Sequence, residues 1–404
     1  MNQVKNDFFG LGIAPGLLAV LDALKFTVPT PIQDKAIPLA IEGKDIIGVA
    51  QTGTGKTLAF GIPMIQRLAQ GRGRGLVLVP TRELAVQINE DLTRFVRAFK
   101  LRTTVVIGGE SMARQIKQLK DRPQIIIATP GRLNDHIESR HMRLSDISIL
   151  VLDEADRMLD MGFLPQIERI IKLIPRARQT MLFSATMQPS ILKIASSHMH
   201  LPVRTEIAPS GTAPDLVTQE MVFVQKEAKV KVLGQLLAQY TGSVLLFVRT
   251  KRGASRVARL LRGMGHSAAE IHADRSQAQR TEAMRGFKNG RHRILVATDI
   301  AARGIDVTDI ELVINFDLPD DIGNYVHRIG RTGRAGKRGH AITFATSDQR
   351  KDVKDIEQFM RATIPVSPHS TIPSEPPKLE AKPVVKKPAF GRTPRRSNRL
   401  SKRR

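Results

Sequence analysis

The chain has 404 residues, 41% of them hydrophobic and 25% charged, with 63 Lys and Arg against 38 Asp and Glu, a net charge of +25 and a pI near 10.8. Such a length suits two domains and a tail rather than one core, and such a charge points to a polyanionic partner, because Lys and Arg displace counterions from phosphate backbones. Lack of cysteine excludes disulfides and thiolate metal sites; with no apolar run of about 18 residues and no charged-then-apolar start, a soluble cytoplasmic chain without a membrane partner is expected.

Short apolar, β-branched runs recur, each closing on a polar or glycine-bearing turn: DIIGVA (45–50), GLVLVP (75–80), TTVVIGG (103–109), QIIIATP (124–130), ILVLDEAD (149–156) and TMLFSAT (180–186). They predict buried parallel strands. Segments with helical spacing lie between them, such as ELAVQINEDLTRFVRAF (83–99) and MARQIKQLK (112–120), so strand and helix alternate as in a doubly wound sheet. Pro, Gly, Ser and Thr in EIAPSGTAPD (206–215) break both periods and predict a linker. Alternation restarts with SVLLFVRT, SAAEIHA, RILVATD, LVINFD and AITFAT, a second domain of the same class. Two such sheets on a linker form a cleft. Beyond about Thr363 the pattern is lost, and residues 370–404 carry eleven Lys or Arg against two Glu, a stretch that cannot bury a core and suits an electrostatic tether for nucleic acid. The expected boundaries are 1–207 for the first domain, 208–215 for the linker, 216–364 for the second domain and 365–404 for a disordered basic tail.

AQTGTGKT, Ala50 to Thr57, stands between the strand DIIGVA and the apolar helix start LAFGIPMI. In that context loop amides and a helix N-terminus together favour phosphate oxygens. Lys56 can reach the outer phosphates and the Thr57 hydroxyl can hold Mg²⁺. Ala50 replaces the first glycine of the strict G-x-x-x-x-G-K-[ST] form, so the weight falls on Gly53, Gly55, Lys56 and Thr57. Asp153 and Glu154 leave the strand ILVL at its carboxyl end, the edge where open α/β sheets bind ligands. A carboxylate there helps position Mg²⁺ through water, and its neighbour orients or deprotonates an attacking water. Taken alone, DEAD also reads as an acidic helix cap; paired with the phosphate loop, Asp153 becomes the metal carboxylate and Glu154 the candidate base. YVHRIGRTGRAGKRGH places Arg328, Arg331 and Arg334 at three-residue intervals after LVINFD. If the second domain closes on the first, Arg331 and Arg334 can reach the γ-phosphate as arginine fingers; a basic nucleic-acid loop is the alternative for that stretch by itself.

Further segments follow in a fixed order: PTPIQ (29–33), PTRELA (80–85), GG (108–109), TPGR (129–132), SAT (184–186), FVRT (247–250), QAQR (277–280), ATDIAARGID (297–306) and HRIGRTGR (327–334). With AQTGTGKT and DEAD, this series resembles the DEAD-box RNA helicases over residues 8–347, and the compact core with a short basic tail most resembles their bacterial RhlE-type branch. The resemblance implies an α/β fold of two tandem RecA-like domains, each a mostly parallel sheet flanked by helices, with ATP and Mg²⁺ as cofactors. It implies that Phe26 stacks on adenine and Gln33 reads its polar edge. Thr52, Gly53, Thr54 and Gly55 would join Lys56 and Thr57 around the phosphates, Gly304 and Asp306 would touch the nucleotide from the second domain, and Ser184, Thr186 and His327 would couple the DEAD segment to closure.

RNA, by the same resemblance, lies across both domains and is held through its backbone, with little base preference. The implied contacts are Pro80, Thr81, Arg82, Gly108, Gly109, Thr129, Pro130, Gly131 and Arg132 in the first domain and Arg249, Gln277, Arg280, Thr298 and Asp299 in the second. Trp is absent and there are two Tyr, which argues against an aromatic platform for bases. Lys25 and Ala273 stand where the family commonly has glycine. The implied activity is RNA-stimulated ATP hydrolysis coupled to closure and to local unwinding of short duplexes or remodelling of RNA–protein complexes, with ribosomal precursor RNA and RNA-decay proteins as family-level partners. An ATP-gated RNA clamp and a DNA helicase stay open as alternatives; unwinding measured beside ATP turnover, and dependence on the 2′-OH, separate them.

Overall fold

The six apolar runs of the first half become six strands, and β-branched and aliphatic side chains on both faces of each demand cover from two layers of helices. The computed structural model describes residues 7–50, 53–71, 73–207, 217–302, 310–333 and 337–372. Its first half runs α1 (Pro15–Ala23), α2 (Pro31–Ile41), β1 (Ile46–Val49), α3 (Lys56–Gln70), β2 (Arg74–Leu78), α4 (Arg82–Val96), β3 (Thr103–Val106) and α5 (Met112–Lys120). It continues β4 (Ile125–Ala128), α6 (Pro130–Glu138), β5 (Ile147–Leu152), α7 (Ala155–Asp160), α8 (Leu164–Leu173), β6 (Gln179–Ser184), α9 (Pro189–His198) and β7 (Val203–Glu206). The second half runs β8 (Val217–Phe223), α10 (Lys229–Gln239), β9 (Val244–Phe247), α11 (Lys251–Gly263), β10 (Ala268–Ile271) and α12 (Gln277–Lys288). It ends β11 (Ile294–Ala297), α13 (Asp299–Ala302), β12 (Leu312–Asn315), α14 (Ile322–Ile329), β13 (Gly339–Ala345) and α15 (Arg350–Met360).

All strand pairs are parallel, in the orders β3-β4-β2-β5-β6-β1-β7 and β10-β11-β9-β12-β13-β8. Alternation of side chains divides each sheet between two cores. In β4, Ile125 and Ile127 pack with α2, α3 and α4, whereas Ile126 and Ala128 pack with the α6–α9 side. In β9, Leu245 and Phe247 join one apolar cluster, and Val244 and Leu246 the other. Parallel strands put every carboxyl end on one edge of its sheet, and local caps fix the helices that start there. Thr81 Oγ1 accepts from Leu84 N (3.3 Å) to open α4, and Ser276 with Gln279 forms a reciprocal capping box that opens α12.

The expected linker, residues 208–215, lies outside the described residues, and two features were not expected: the strands on either side of it and the order at the end of the second half. Strands β7 and β8, which flank the expected linker, are edge strands with alternating or partial burial rather than continuous apolar runs. The expected disordered tail does not begin at residue 365. Residues 365–372 lie alongside β8: Met221 N donates to Pro365 O (2.8 Å), Ser367 N to Met221 O (2.8 Å) and Thr371 N to Phe223 O (2.8 Å), with Val366 bridging Met221 in parallel. Backbone groups of an edge strand need partners, and this segment supplies them despite its Pro and Ser content.

Candidate active site

Phe26, Thr30, Gln33, Gly53, Gly55, Lys56, Thr57, Asp153 and Glu154 line one cavity of about 300 Å³ at the carboxyl edge of the first sheet. Three separate sequence segments thus meet there. Gln33, buried, joins two of them: its Oε1 accepts from Thr30 N (2.9 Å) and its Nε2 donates to Gly55 O (3.0 Å). Gly53 and Gly55 have φ of +88° and +89°, and a Cβ on Gly55 would run into the Gln33 amide, so glycine is required there twice over. Lys56, the first residue of α3, is buried with Nζ donating to Ala50 O (3.1 Å). Ala50 itself extends the pairing of β1 through Ala50 N to Ser184 O (2.9 Å) without positive φ, which explains why no glycine is needed at that position. Phe26 is 40% exposed at the mouth of the cavity.

The first two DEAD carboxylates, Asp153 and Glu154, are both buried, yet their environments push them apart. Burial raises Asp153 to about 6 although Lys56 opposes it. For Glu154 burial acts the same way, but the charges of Arg157, Lys56 and Arg331 outweigh it and hold the carboxyl below its ordinary value. Glu154 Oε2 accepts from Arg157 Nη1 at 2.9 Å, both side chains almost fully buried. Its backbone is left-handed, φ +52° and ψ +49°, a strained geometry for a non-glycine residue where β5 turns into α7. Asp156 reaches sideways to the SAT segment: its Oδ2 accepts from Ala185 N (3.0 Å), Thr186 N (2.9 Å) and Thr186 Oγ1 (3.1 Å), while Ser184 Oγ donates to Thr186 O (2.7 Å). Arg331, buried in the second domain with Nε donating to His327 O (3.2 Å), exerts its charge on Glu154 in the first. His327, Arg331 and Arg157 line a common small cleft between the domains.

Along the same edges the candidate nucleic-acid contacts form a basic face. The Arg82 guanidinium lies against Gly108 and Gly109, and burial, with the neighbouring charges of Arg280 and Arg132, lowers its pKa. Arg132 Nη1 donates to Glu110 O (3.1 Å), and Thr129 and Pro130 open α6 beside it. Thr81 and Pro80 precede α4 at the end of β2. Some second-domain candidates are engaged elsewhere. Arg280 pairs with Glu83 of the first domain (2.7 Å), and Gln277 Nε2 donates to Glu83 Oε1 (3.4 Å). The Asp299 carboxylate accepts from Nε and Nη2 of buried Arg328 (2.6 and 2.7 Å), and Arg249 folds onto Asp320 (3.3 Å) and Leu318 O (3.4 Å). In this arrangement these side chains are engaged by bonds within the protein. Thr298 is buried where β11 ends, its amide donating to Ile271 O (3.3 Å).

Residues 30–194 match the family model for the DEAD/DEAH box helicase, and residues 228–336 match that for the helicase conserved C-terminal domain. An ATP-dependent rRNA helicase RRP3 from Debaryomyces hansenii is 44% identical over 365 residues, covering 89% of this chain and 76% of that protein. The chain belongs to the DEAD-box RNA helicases. An ATP-dependent RNA helicase CshA from Listeria monocytogenes is 45% identical over 87% of this chain and 68% of its own length. S. cerevisiae Dbp5 bound to RNA and ADP BeF3 superposes with a TM-score of 0.82 at 31% identity, covering 90% of this chain and 96% of that one. Mss116 bound to ssRNA and UDP-BeF gives 0.84 at 27% identity over 91% and 80%. The protein is thus an ATP-dependent RNA helicase, an RNA-stimulated ATPase built from two parallel-sheet RecA-like domains.

Such superposition over both domains means that the helicase has its halves arranged as in those bound structures, in keeping with the Glu83–Arg280 and Glu154–Arg331 approaches across the cleft. Four candidates, Thr52, Gly304, Asp306 and Arg334, lie outside the described residues. Three side chains that sequence reasoning passed over complete the site: Asp156, Arg157 and Glu83. Asp156 and Arg157 lie in the stretch ILVLDEADRML that carries the two chosen acids, and the i, i+3 spacing of Glu154 and Arg157 on a helix start was the available signal. Glu83 lies in the PTRELA segment, but nothing local marks it as a partner for the second domain. Lys25 keeps the geometry a glycine would give, with φ of +61°, whereas Ala273 has no positive φ and needs no glycine.

Proposed function

We propose that this helicase holds ATP between Phe26 and the DEAD carboxylates, holds RNA by its backbone across the Arg82 and Arg132 face, and hydrolyses the β–γ phosphoanhydride only when its two domains close. In these roles the Phe26 ring stacks on adenine and Gln33 reads its edge. Amides of the Gly53–Thr57 loop and the Lys56 ammonium take the phosphates. Glu154, ionised and held by Arg157, orients the attacking water and accepts its proton, and Arg331 offsets charge that builds on the γ-phosphate. Asp156, Ser184 and Thr186 transmit the position of the DEAD turn to the loop after β6.

Mg²⁺ fits the site: the Thr57 hydroxyl and Asp153 are hard oxygen donors, and the raised Asp153 is a buried carboxylate that a cation would relieve. Bound there with the nucleotide, the ion would neutralise phosphate charge. The observation that carries the proposal is that Arg331 of one domain shares a cleft with Arg157, which holds Glu154 of the other, and that its charge bears on Glu154, since this makes the hydrolytic site complete only on closure. Closure driven by ATP and RNA together and released by hydrolysis yields local, non-processive strand separation. Ribosomal precursor RNA is the substrate class favoured by relatives named as rRNA helicases; the absence of cysteine agrees with a reducing compartment such as the cytoplasm, and the compact core with a short basic tail supports the RhlE-type branch.

The test is ATP turnover with and without a mixed single- and double-stranded RNA, with DNA of the same sequence and Glu154→Gln as controls, and duplex unwinding read in parallel. RNA-only stimulation that disappears in Glu154→Gln is expected. Equal stimulation by DNA, or turnover indifferent to nucleic acid, would sink the proposal, and stimulation without unwinding would leave an RNA clamp instead.

A further inference from the structure

Gly108 and Gly109 have no side chains with which to hold their loop, so it must be fixed from its flanks, and both flanks are tied to α6. After the glycines, Glu110 O accepts from Arg132 Nη1 (3.1 Å). Before them, Ile107 O accepts from Gln115 Nε2 (2.8 Å), and Gln115 Oε1 lies 3.0 Å from His136 Nε2. Arg132 and His136 are one helical turn apart on α6, on the same face. The Gln115 nitrogen is committed to Ile107, so its oxygen needs a donor and the His136 proton belongs on Nε2. Nδ1 is then the bare nitrogen of a neutral ring, buried and without a hydrogen-bond partner. Burial, with His141 and Arg132 nearby, lowers the pKa of His136, in the direction of the neutral ring.

Gln115 is 3% exposed and His136 0%, so the chain of bonds from α6 through α5 to the loop is shut off from water. In such surroundings a missing link strands polar groups without partners, and the loop backbone must move to find others.

We infer that His136 and Gln115 are RNA-positioning residues, which set the Gly108–Gly109 loop against Arg132 so that loop and helix meet one stretch of backbone together; this rests on the RNA face proposed above. Neither side chain touches RNA. Their effect is on the RNA concentration needed, and the chemical step is served by other residues.

The experiment titrates single-stranded RNA into ATP turnover by the full chain, comparing His136→Leu, Gln115→Leu, their double variant, His136→Gln and Arg132→Ala. His136→Leu and Gln115→Leu are each expected to raise half-saturating RNA about five- to tenfold, the effect of one buried hydrogen bond, with turnover at saturating RNA held within about twofold. The double variant should be no worse than the poorer single, because both break one chain of bonds. His136→Gln, which can present an amide N–H to Gln115 Oε1, should recover most of the affinity. If His136→Leu does not fold, Gln115→Leu on α5 carries the same test. Unchanged half-saturation in both single variants, losses confined to maximal turnover, or additive losses in the double would overturn the inference. Arg132→Ala separates the two levels: if it weakens RNA binding while the leucine variants do not, positioning alone falls, and if it too has no effect, the RNA face has been misplaced.

Discussion

Glu83 and Arg280, 197 residues apart in the chain, share an ion pair of 2.7 Å in which their side chains are only 9% and 10% exposed. One stands in the first turn of α4 and the other in the first turn of α12, so the pair exists only while the domains face each other. Removing one partner of a pair that stays buried costs about 3–5 kcal/mol. Here the remaining charge can rehydrate when the cleft opens, so the loss falls on closure and spares the fold. Glu83→Ala is expected to lower RNA-stimulated kcat/KM at least about tenfold, with the melting temperature moved by no more than about 2 °C. Energy transfer between labels on the two domains should show the closed population falling in step, and the exchanged pair Glu83→Arg with Arg280→Glu should recover part of it.

Asp156 receives three donors on a single oxygen, two of them backbone amides of the SAT loop. Substitution by Asn keeps the shape, removes the charge and can turn a donor toward those amides. Charge-assisted bonds are about twice as strong as neutral ones, so Asp156→Asn should destabilise the nucleotide-free protein by roughly 1–3 kcal/mol. It should also separate ATP turnover from unwinding, lowering unwinding more. Denaturant melts and a paired ATPase and strand-displacement assay read the two effects.

Burial raises Asp153 to about 6, well above the range of a free aspartate. A group whose folded pKa is raised favours the folded state when protonated, so its stabilising contribution is full below the unfolded pKa and is lost as pH rises through the folded one. Between about pH 4 and pH 6 the nucleotide-free protein should therefore lose stability through this residue, by an amount on the order of 2–3 kcal/mol. Asp153→Asn removes the penalty: it should melt above the native protein at pH 7.5, and the gap should close as the pH falls toward 4. A gap that is independent of pH would show that the carboxyl does not titrate in that window.

Lys25 occupies a left-handed backbone position between α1 and the PTPIQ segment. Left-handed geometry costs a side-chain-bearing residue about 1–2 kcal/mol, and the extra freedom of glycine in the unfolded chain offsets part of that. Lys25→Gly should stabilise the protein by about 0.5–1 kcal/mol, visible as a higher melting temperature, with ATP affinity unaltered because the backbone at Phe26 is unaltered. A lower melting temperature would mean that the Lys25 side chain contributes more than its backbone costs.

Buried strands were the most legible part of the fold, because a strand covered on both faces is written as an unbroken apolar run, as in IIIA of β4. Edge strands were not: VRTE of β7 and VTQEMVF of β8 bury only part of their residues and look like loop beside a Pro- and Gly-rich linker. The phosphate loop and the DEAD carboxylates were legible because their chemistry is local to one turn. Glu83 sits in a legible motif, PTRELA, but its partner Arg280 is in the other domain, so its pairing had no local sign. Asp299 and Arg249 illustrate the converse, since a charged residue in a nucleic-acid segment can be held by an intramolecular partner that no spacing discloses.

Residues 365–372 run in the same direction as β8, and Thr371 N closes on Phe223 O at the strand's carboxyl terminus. Truncation at the last helix would strip that cover and leave Val217–Phe223 as a naked template, inviting a second copy to dock edge to edge. Dissection of the second domain therefore has to keep eight residues that no motif marks. The same direction brings the chain out at Ile372 on the rim from which the FVRT and QAQR segments also emerge.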